Sequence, residues 1–445
     1  MDSNIQKFYE KSIDINKIDD EFYNIYDVKK GLRNDDGTGV LVRLTKIADV
    51  VGYEKVGDKK LDVEGKLYYR GYSVEDLIGG ANGRSHLFEE VCFLIIFGYL
   101  PNKDELEVFK NELASRYDLP NNFLESNIIN TESFNIMNKL QQEVLMLYNF
   151  DKTPEDISVE ATIDKGLDLI AKIPYLAVYA YRTKSYKIDK KSLVIHHIDP
   201  KLSIAQNILL LLRDDGVYSQ KEAQILDSCL VVHADHGGGN NSTFTNVVIS
   251  STGTDIYSAF SGAIGSLKGP RHGGANHSVI KQMNLAIEQL GLNPDDEQLE
   301  NLINEILGGN FNDNSGLIYG IGHAVYTLSD PRCKILKQNC YELAIEKNQL
   351  EKFDFYERFE KMAIKIIKER KNLNLCANVD FYSGFVYQML DIPEELYTPL
   401  FVIGRTVGWL AHNVENKVST NKIIRPAAKF VGENNEEYLP LEKRQ

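Results

Sequence analysis

Apolar residues recur along much of the chain at helical spacing. Phe355, Phe359, Met362, Ala363, Ile366 and Ile367 fall at i, i+4, i+7, i+8, i+11 and i+12, and Glu357, Arg358, Glu360, Lys361, Lys365 and Lys368 fill the gaps. This pattern predicts an amphipathic helix with one buried stripe. Ser203 to Arg213, with Ile204, Ile208, Leu211 and Leu212, reads the same way but is more fully apolar, as expected of a central helix. Val91 to Phe97, after Phe88 and Glu89, predicts a buried helix closed by Gly98 and followed by Pro101. Glu222 to Val232 is helical in pattern as well.

Strand signals are few. Asn34-Asp35-Asp36-Gly37 is a turn whose flanks are candidates for pairing, and Leu67 to Tyr72 is a second short candidate. The repeated strand–helix alternation of a doubly wound sheet is missing. Acidic, Asn-rich segments at 293–297 and 432–437 are expected to be solvated loops or a tail. The fold class read from the pattern is all-α, with at most a few short N-terminal strands.

Charge narrows the function. Among 445 residues, 50 Lys plus Arg face 64 Asp plus Glu, for a net charge of −14. A nucleic-acid or membrane-surface role needs a broad basic face and is not expected. An anionic small molecule would need a local nest of Arg and His. The longest apolar stretches, such as Val91 to Leu100, fall short of the roughly 18 residues of a spanning helix. The start, Met1-Asp2-Ser3-Asn4-Ile5, lacks a basic region and an apolar run, so a cytoplasmic location is expected. Cys92, Cys229, Cys333, Cys340 and Cys376 are scattered without a C-x-x-C, which argues against a disulfide framework or a zinc–thiolate site.

Candidate chemistry gathers between His233 and Arg425. His233-Ala234-Asp235-His236-Gly237-Gly238-Gly239-Asn240 places two histidines at i and i+3 near a helix C-terminus. Three readings are open there: a metal site, a histidine bonding an anionic substrate, or a histidine favoured by the helix dipole. Lys268-Gly269-Pro270-Arg271-His272-Gly273-Gly274 sets a histidine among glycines that let a ligand approach. If a helix starts just after it, the helix's positive end keeps His272 neutral and able to donate a hydrogen bond. Gly320-Ile321-Gly322-His323-Ala324-Val325-Tyr326, then Asp330-Pro331-Arg332, pairs a histidine with an arginine, suited to polarising a carbonyl while gripping a carboxylate. Asp380 lies among apolar and aromatic neighbours, where burial would make it a better base, unless it only caps the helix that follows. Arg405 and Arg425 are candidate clamps for a dicarboxylate or members of ordinary ion pairs.

Taken in order, these elements resemble the citrate synthase family. The resemblance begins at Gly31-Leu32-Arg33-Asn34-Asp35-Asp36-Gly37-Thr38-Gly39-Val40, includes Tyr69-Arg70-Gly71-Tyr72 and Leu169-Ile170-Ala171-Lys172-Ile173-Pro174, and ends near Arg425-Pro426. It implies the type II scaffold, homodimeric or hexameric, with an almost wholly helical two-domain fold. A large domain would take 1–277 and 385–445, and a small domain at 278–384 would close over the site. Hinges are expected near Gly273-Gly274 and Ser383-Gly384.

The resemblance further implies a condensation of acetyl-CoA with oxaloacetate to citrate and CoA. It implies no permanently bound cofactor and no metal, with acetyl-CoA as the co-substrate. The triad would be His272, His323 and Asp380. His236, Arg332, Arg405 and the neighbouring subunit's Arg425 would contact substrate carboxylates in a homodimer, and His233 would be structural. Lys268 and Arg271 are the candidate CoA contacts, although Arg271 has a surface carboxylate as its alternative partner.

The sequence departs from the family in three places. Arg271 stands where many relatives have an apolar residue. Ala324 and Thr327 stand where many bacterial relatives carry basic residues, and Gly237 to Gly239 replaces a more acidic stretch. These differences bear on CoA contacts rather than on the triad. A 2-methylcitrate synthase using propionyl-CoA is the near alternative, since one methylene is worth only about 1–3 kcal/mol of discrimination. A His/Asp metallohydrolase on His233, Asp235 and His236 is the alternative of a different class, and it leaves the three arginines unexplained.

Overall fold

A strand hairpin precedes a long succession of helices. The computed structural model describes residues 3–57, 59–420 and 422–444. Strand β1 (Ala48–Val56) pairs antiparallel with β2 (Lys59–Tyr69), and β2 with β3 (Tyr72–Ser73), in the order β1-β2-β3. Ala48 faces Tyr69, and the register shifts between Val51 and Tyr53. The Leu67 to Tyr72 candidate is therefore the end of a longer strand, a left-handed turn at Arg70-Gly71 and the start of β3. The early part of β2 gave little signal because its alternating side chains, Leu61 among them, stay largely exposed. Around Asn34–Gly37 there is a turn with a single bridge, Arg33 to Gly39, and no strand pair.

The helices begin and end where local chemistry provides for their free backbone groups. Ile204–Leu212 and Gln220–His233 each open on a serine capping box, and Leu87–Phe97 ends on left-handed Gly98. Of the segment 293–297, residues 293–295 are loop and Asp296 and Glu297 are already helical. Asp295 caps the helix Asp296–Leu307 in a capping box with Gln298, so the acidic run is a helix start. Phe355 to Ile367 lies within the helix Leu350–Lys371.

Two helices are buried along most of their length, Val159–Lys187 and Tyr397–Ser419, and they pack on each other. Gln220–His233 lies against the second. Pro331–Glu346, Ala275–Leu290 and Val379–Met389 form another packed group. Gly384, expected at a hinge, lies inside the continuous helix Val379–Met389. A Cβ there would come within 2.8 Å of Ile280 Cδ1, so the missing side chain serves close helix contact.

The described chain divides into two compact units, residues 44–423 and residues 3–43 with 424–444. The first contains the sheet and nearly all the helices. In the second, the helix Ser3–Ile15 exposes Ile5, Phe8, Tyr9, Ile13 and Ile15, and the C-terminal residues run without regular structure until a short turn at Leu441–Lys443. No helix among the described residues is long and apolar enough to cross a membrane.

Candidate active site

The polypeptide from His233 to His236 lies against the helix Tyr397–Ser419 because that helix offers glycine at the contact. A Cβ on Gly404 would sit 2.7 Å from the His233 Cβ, and one on Gly408 2.6 Å from Asp235 Oδ1. The approach seats Arg405 beneath the turn. Its Nε donates to the His233 carbonyl at 2.7 Å and its guanidinium lies 4.8 Å from the Phe401 ring centre. Arg405 is 0% exposed, and its Nη1 and Nη2 have no hydrogen-bond partner. Burial pulls its pKa down to about 10.

His233 is enclosed by its own surroundings. Its Nε2 lies 3.0 Å from the Tyr387 hydroxyl, its ring packs on Phe401 at 4.3 Å, and burial holds it neutral. Asp235 is used internally as well, with Oδ2 3.1 Å from His412 Nε2 and accepting the Gly237 N–H at 3.1 Å. The metal reading of this stretch therefore loses two of its donors. No group of three His, Cys, Asp or Glu among the described residues is placed to hold an ion. His236 points elsewhere. Its ring meets His323 edge-on at 5.1 Å and Tyr326 at 5.5 Å, and its buried Nε2 has no partner. Burial, then the charge of Arg332, keeps His236 neutral.

His323 Nδ1 accepts the backbone N–H groups of Val325 (3.0 Å) and Tyr326 (3.2 Å). A neutral imidazole so held carries its proton on Nε2. Arg332 Nη2 lies 3.4 Å from that same Nε2, so two donors converge on one spot. Arg332 is gripped by Asp330, with Nη2 to Oδ2 at 2.7 Å and Nε to Oδ1 at 3.0 Å. Burial alone would lower the Arg332 pKa, but the Asp330 carboxylate outweighs it and raises it. Asp330 also caps the helix Pro331–Glu346, which fixes where the guanidinium begins.

Asp380 is the second residue of the helix Val379–Met389. The cap is Asn378, whose Oδ1 accepts the Asp380 N–H at 3.0 Å, so Asp380 is free of the capping duty considered for it. The residue as a whole is only partly buried, but its Oδ1 is sealed from solvent and unpartnered. Burial pushes its pKa up to about 7. Asp330 adds to the rise and Arg332 opposes it.

His272 lies in the turn before the helix Ala275–Leu290 and is neutral as expected, with a pKa down to about 4. The causes are burial first and the charge of Arg405 second. Its Nε2 is 3.2 Å from Asn240 Oδ1 and 3.3 Å from Ser242 Oγ, and the Trp409 indole N–H donates to that hydroxyl at 3.2 Å.

The structure thus places His236, His323 and Arg332 together and puts Arg405 within electrostatic reach of His236 and His272. Asp380 feels the charge of Arg332. Lys268 and Arg271 are exposed on the turn leading into His272. Arg425 is exposed in the unit formed by 3–43 and 424–444. Sequence reading gave no role to Ser242, Asp330, Tyr326 or Trp409. Ser242, Tyr326 and Trp409 act through contacts made across the fold, whereas Asp330 grips Arg332 only two residues on.

Residues 36–427 match the family model described as citrate synthase, C-terminal domain. The chain belongs to the citrate synthase family. The citrate synthase of Haloferax volcanii is 32% identical, covering 94% of this chain and 99% of that protein. A Corynebacterium glutamicum protein named 2-methylcitrate synthase 2 is also 32% identical, covering 94% and 98%. The Thermoplasma acidophilum citrate synthase, solved as a ternary complex with carboxymethyl coenzyme A and oxaloacetate, superposes with a TM-score of 0.76 at 26% identity, over 94% of this chain and 99% of that one. Citrate synthases are acyltransferases, and the all-α reading of the sequence agrees with this fold.

Proposed function

We propose that the chain condenses acetyl-CoA with oxaloacetate and water to give citrate and CoA, with His272, His323 and Asp380 as the reacting side chains. The observation that carries the assignment is Arg405. A guanidinium buried with both terminal nitrogens unpartnered, near an equally unpartnered His236 Nε2, is suited to an anionic guest. Arg332 and Arg405 supply two positive centres for a dicarboxylate, and the His323 Nε2–H supplies a donor for the ketone between them.

The steps follow from the protonation states. With a pKa near 7, Asp380 is about half ionised at neutral pH and removes a proton from the acetyl methyl group. The developing enolate oxygen needs a donor that does not have to be charged, and neutral His272 is one. Ser242 Oγ accepts the Trp409 N–H and donates to Asn240 Oδ1 at 2.9 Å, so both oxygens beside His272 Nε2 are acceptors for an imidazole proton. The enol carbon then bonds to the oxaloacetate carbonyl carbon, and the resulting alkoxide takes the His323 proton. Water cleaves the citryl thioester and releases CoA.

Three finer statements belong to the same proposal. Residues 278–384 act as a small domain that closes over the site and excludes water until the carbon–carbon bond has formed. The protein works as a homodimer in the cytoplasm, with Arg425 of one subunit reaching the other's oxaloacetate. Lys268 and Arg271, both exposed, are the proposed contacts to the CoA phosphates. The Corynebacterium relative favours keeping propionyl-CoA as a second acyl donor, since equal identity does not separate the two names. Steady-state rates of CoA release with oxaloacetate and either acetyl-CoA or propionyl-CoA test the assignment. A higher kcat/KM for acetyl-CoA is expected, a preference for propionyl-CoA moves the chain to the second reading, and no release with either refutes both.

A further inference from the structure

The hairpin β1–β2 lies far in sequence from every residue of the proposed site, yet it carries the loop that holds His323. Gly65 on β2 has no room for a side chain, because a Cβ there would run into the Ser329 carbonyl and come within 2.7 Å of the Tyr326 ring. Gly52 on β1 is as tight against the Val325 carbonyl carbon, at 2.9 Å. The Gly65 N–H donates to Ser329 Oγ at 3.1 Å, and the Ser329 hydroxyl bonds onward to Glu64. The Tyr326 hydroxyl donates to the Lys66 carbonyl at 3.3 Å. The 325–329 stretch is therefore laid onto the sheet by shape and by hydrogen bonds.

Tyr326 is 0% exposed and stands at the centre of this arrangement. Its ring stacks on His323 at 4.8 Å with 27° between the planes, its backbone N–H donates to His323 Nδ1, and the Arg332 guanidinium lies 5.6 Å from its ring centre. One residue thus holds the imidazole by a ring face and a hydrogen bond, while its far end is tied to β2.

We propose that Tyr326, seated on β2 through the Gly65 gap and the Lys66 carbonyl, is the positioning residue that orients His323 and Arg332 toward oxaloacetate. Tyr326 touches the imidazole rather than the reacting atoms, so its effect is on the oxaloacetate side of the reaction. A displacement of the imidazole by about 1 Å is enough to cost about a hundredfold in rate. The proposal rests on the citrate synthase reading above.

The test is the full-length protein with Tyr326→Phe, Tyr326→Leu and Gly65→Ala, assayed for KM of each substrate and for kcat. Tyr326→Phe keeps the ring and its volume and loses only the tether, so a rise of about fivefold in oxaloacetate KM is expected with little change in kcat. Tyr326→Leu loses the stack, and kcat/KM for oxaloacetate should fall about a hundredfold. Gly65→Ala should raise the oxaloacetate KM as well. In all three the acetyl-CoA KM should stay near the parent value, and Tyr326→Phe should recover most of the activity lost in Tyr326→Leu. Nitrogen-15 spectra of the ligand-free parent should show the His323 proton on Nε2. An active parent whose Tyr326→Phe and Tyr326→Leu variants keep its oxaloacetate parameters would overturn the proposal, as would equal losses for both substrates. An inactive parent that still shows the Nε2 proton would refute the assigned reaction and leave the histidine geometry standing.

Discussion

Asp380→Asn should make the protein inactive and, above neutral pH, more stable. In the unfolded chain this carboxyl titrates near 3.8, and in the fold burial moves it to about 7. The folded state therefore favours the protonated acid. That contribution is fully present below about 3.8 and is lost as pH rises through 7. At pH 8 the ionised carboxylate costs the fold about 4 kcal/mol at most, taking about 1.36 kcal/mol per pH unit. Asparagine removes this penalty but brings an amide whose N–H needs a partner beside a carboxyl oxygen that had none, at about 1–2 kcal/mol. The net gain is about 2 kcal/mol, or about 2–4 °C in melting temperature for a chain of this size. Turnover should fall by about a thousandfold, because the base is gone and nothing else in the site replaces it. Calorimetry of parent and variant from pH 4 to pH 8, alongside CoA release at saturating substrates, measures both effects. The two melting curves should cross at about pH 5, where the carboxylate penalty equals the amide cost, with the variant lower in acid and higher in base. A variant that turns over normally, or whose stability tracks the parent at every pH, would refute the reasoning.

Three further outcomes are expected. The parent's rate should rise with pH through about 7 as Asp380 ionises, with no second limb between pH 5 and 7 from His272, which stays neutral down to about 4; a pH–rate profile reads both directly. Arg405→Leu should raise the oxaloacetate KM about a hundredfold and abolish the thermal shift given by oxaloacetate, with a small change in the melting temperature of the free protein, because two unpartnered buried nitrogens are removed while the His233 carbonyl and Asp235 lose a partner. Arg425→Ala and Asp380→Asn should each be nearly inactive alone, yet mixed heterodimers should regain one working site; heterodimers that form and stay inactive would exclude a shared site.

Several features were determined by the sequence alone. The stripes at Phe355–Ile367 and Ile204–Leu212 announce helices because an apolar face with a 3.6-residue period has only one way to be buried. The ordered motifs around His236, His272, His323, Arg332, Asp380 and Arg405 announce the family, because that succession of residues is not reached by chance.

The tertiary structure decided the surroundings of those residues. Asp380 looked as much like a cap as a base; Asn378 takes the cap, and the fold seals one Asp380 oxygen from solvent. His272 was expected to be neutral beside a helix N-terminus, and it is neutral, but burial and Arg405 are the causes, and both come from distant segments. His233 and His236 share one motif and part company only because Tyr387 and Phe401 enclose the first while His323 and Tyr326 face the second. The hairpin beneath Tyr326 left almost no trace in the pattern. Its exposed strand lacks a continuous apolar alternation, and its importance lies in two glycines whose value is set by what the chain brings against them more than 200 residues later. Periodicity and spacing report local geometry, whereas protonation states and orphaned donors depend on which distant atoms exclude water.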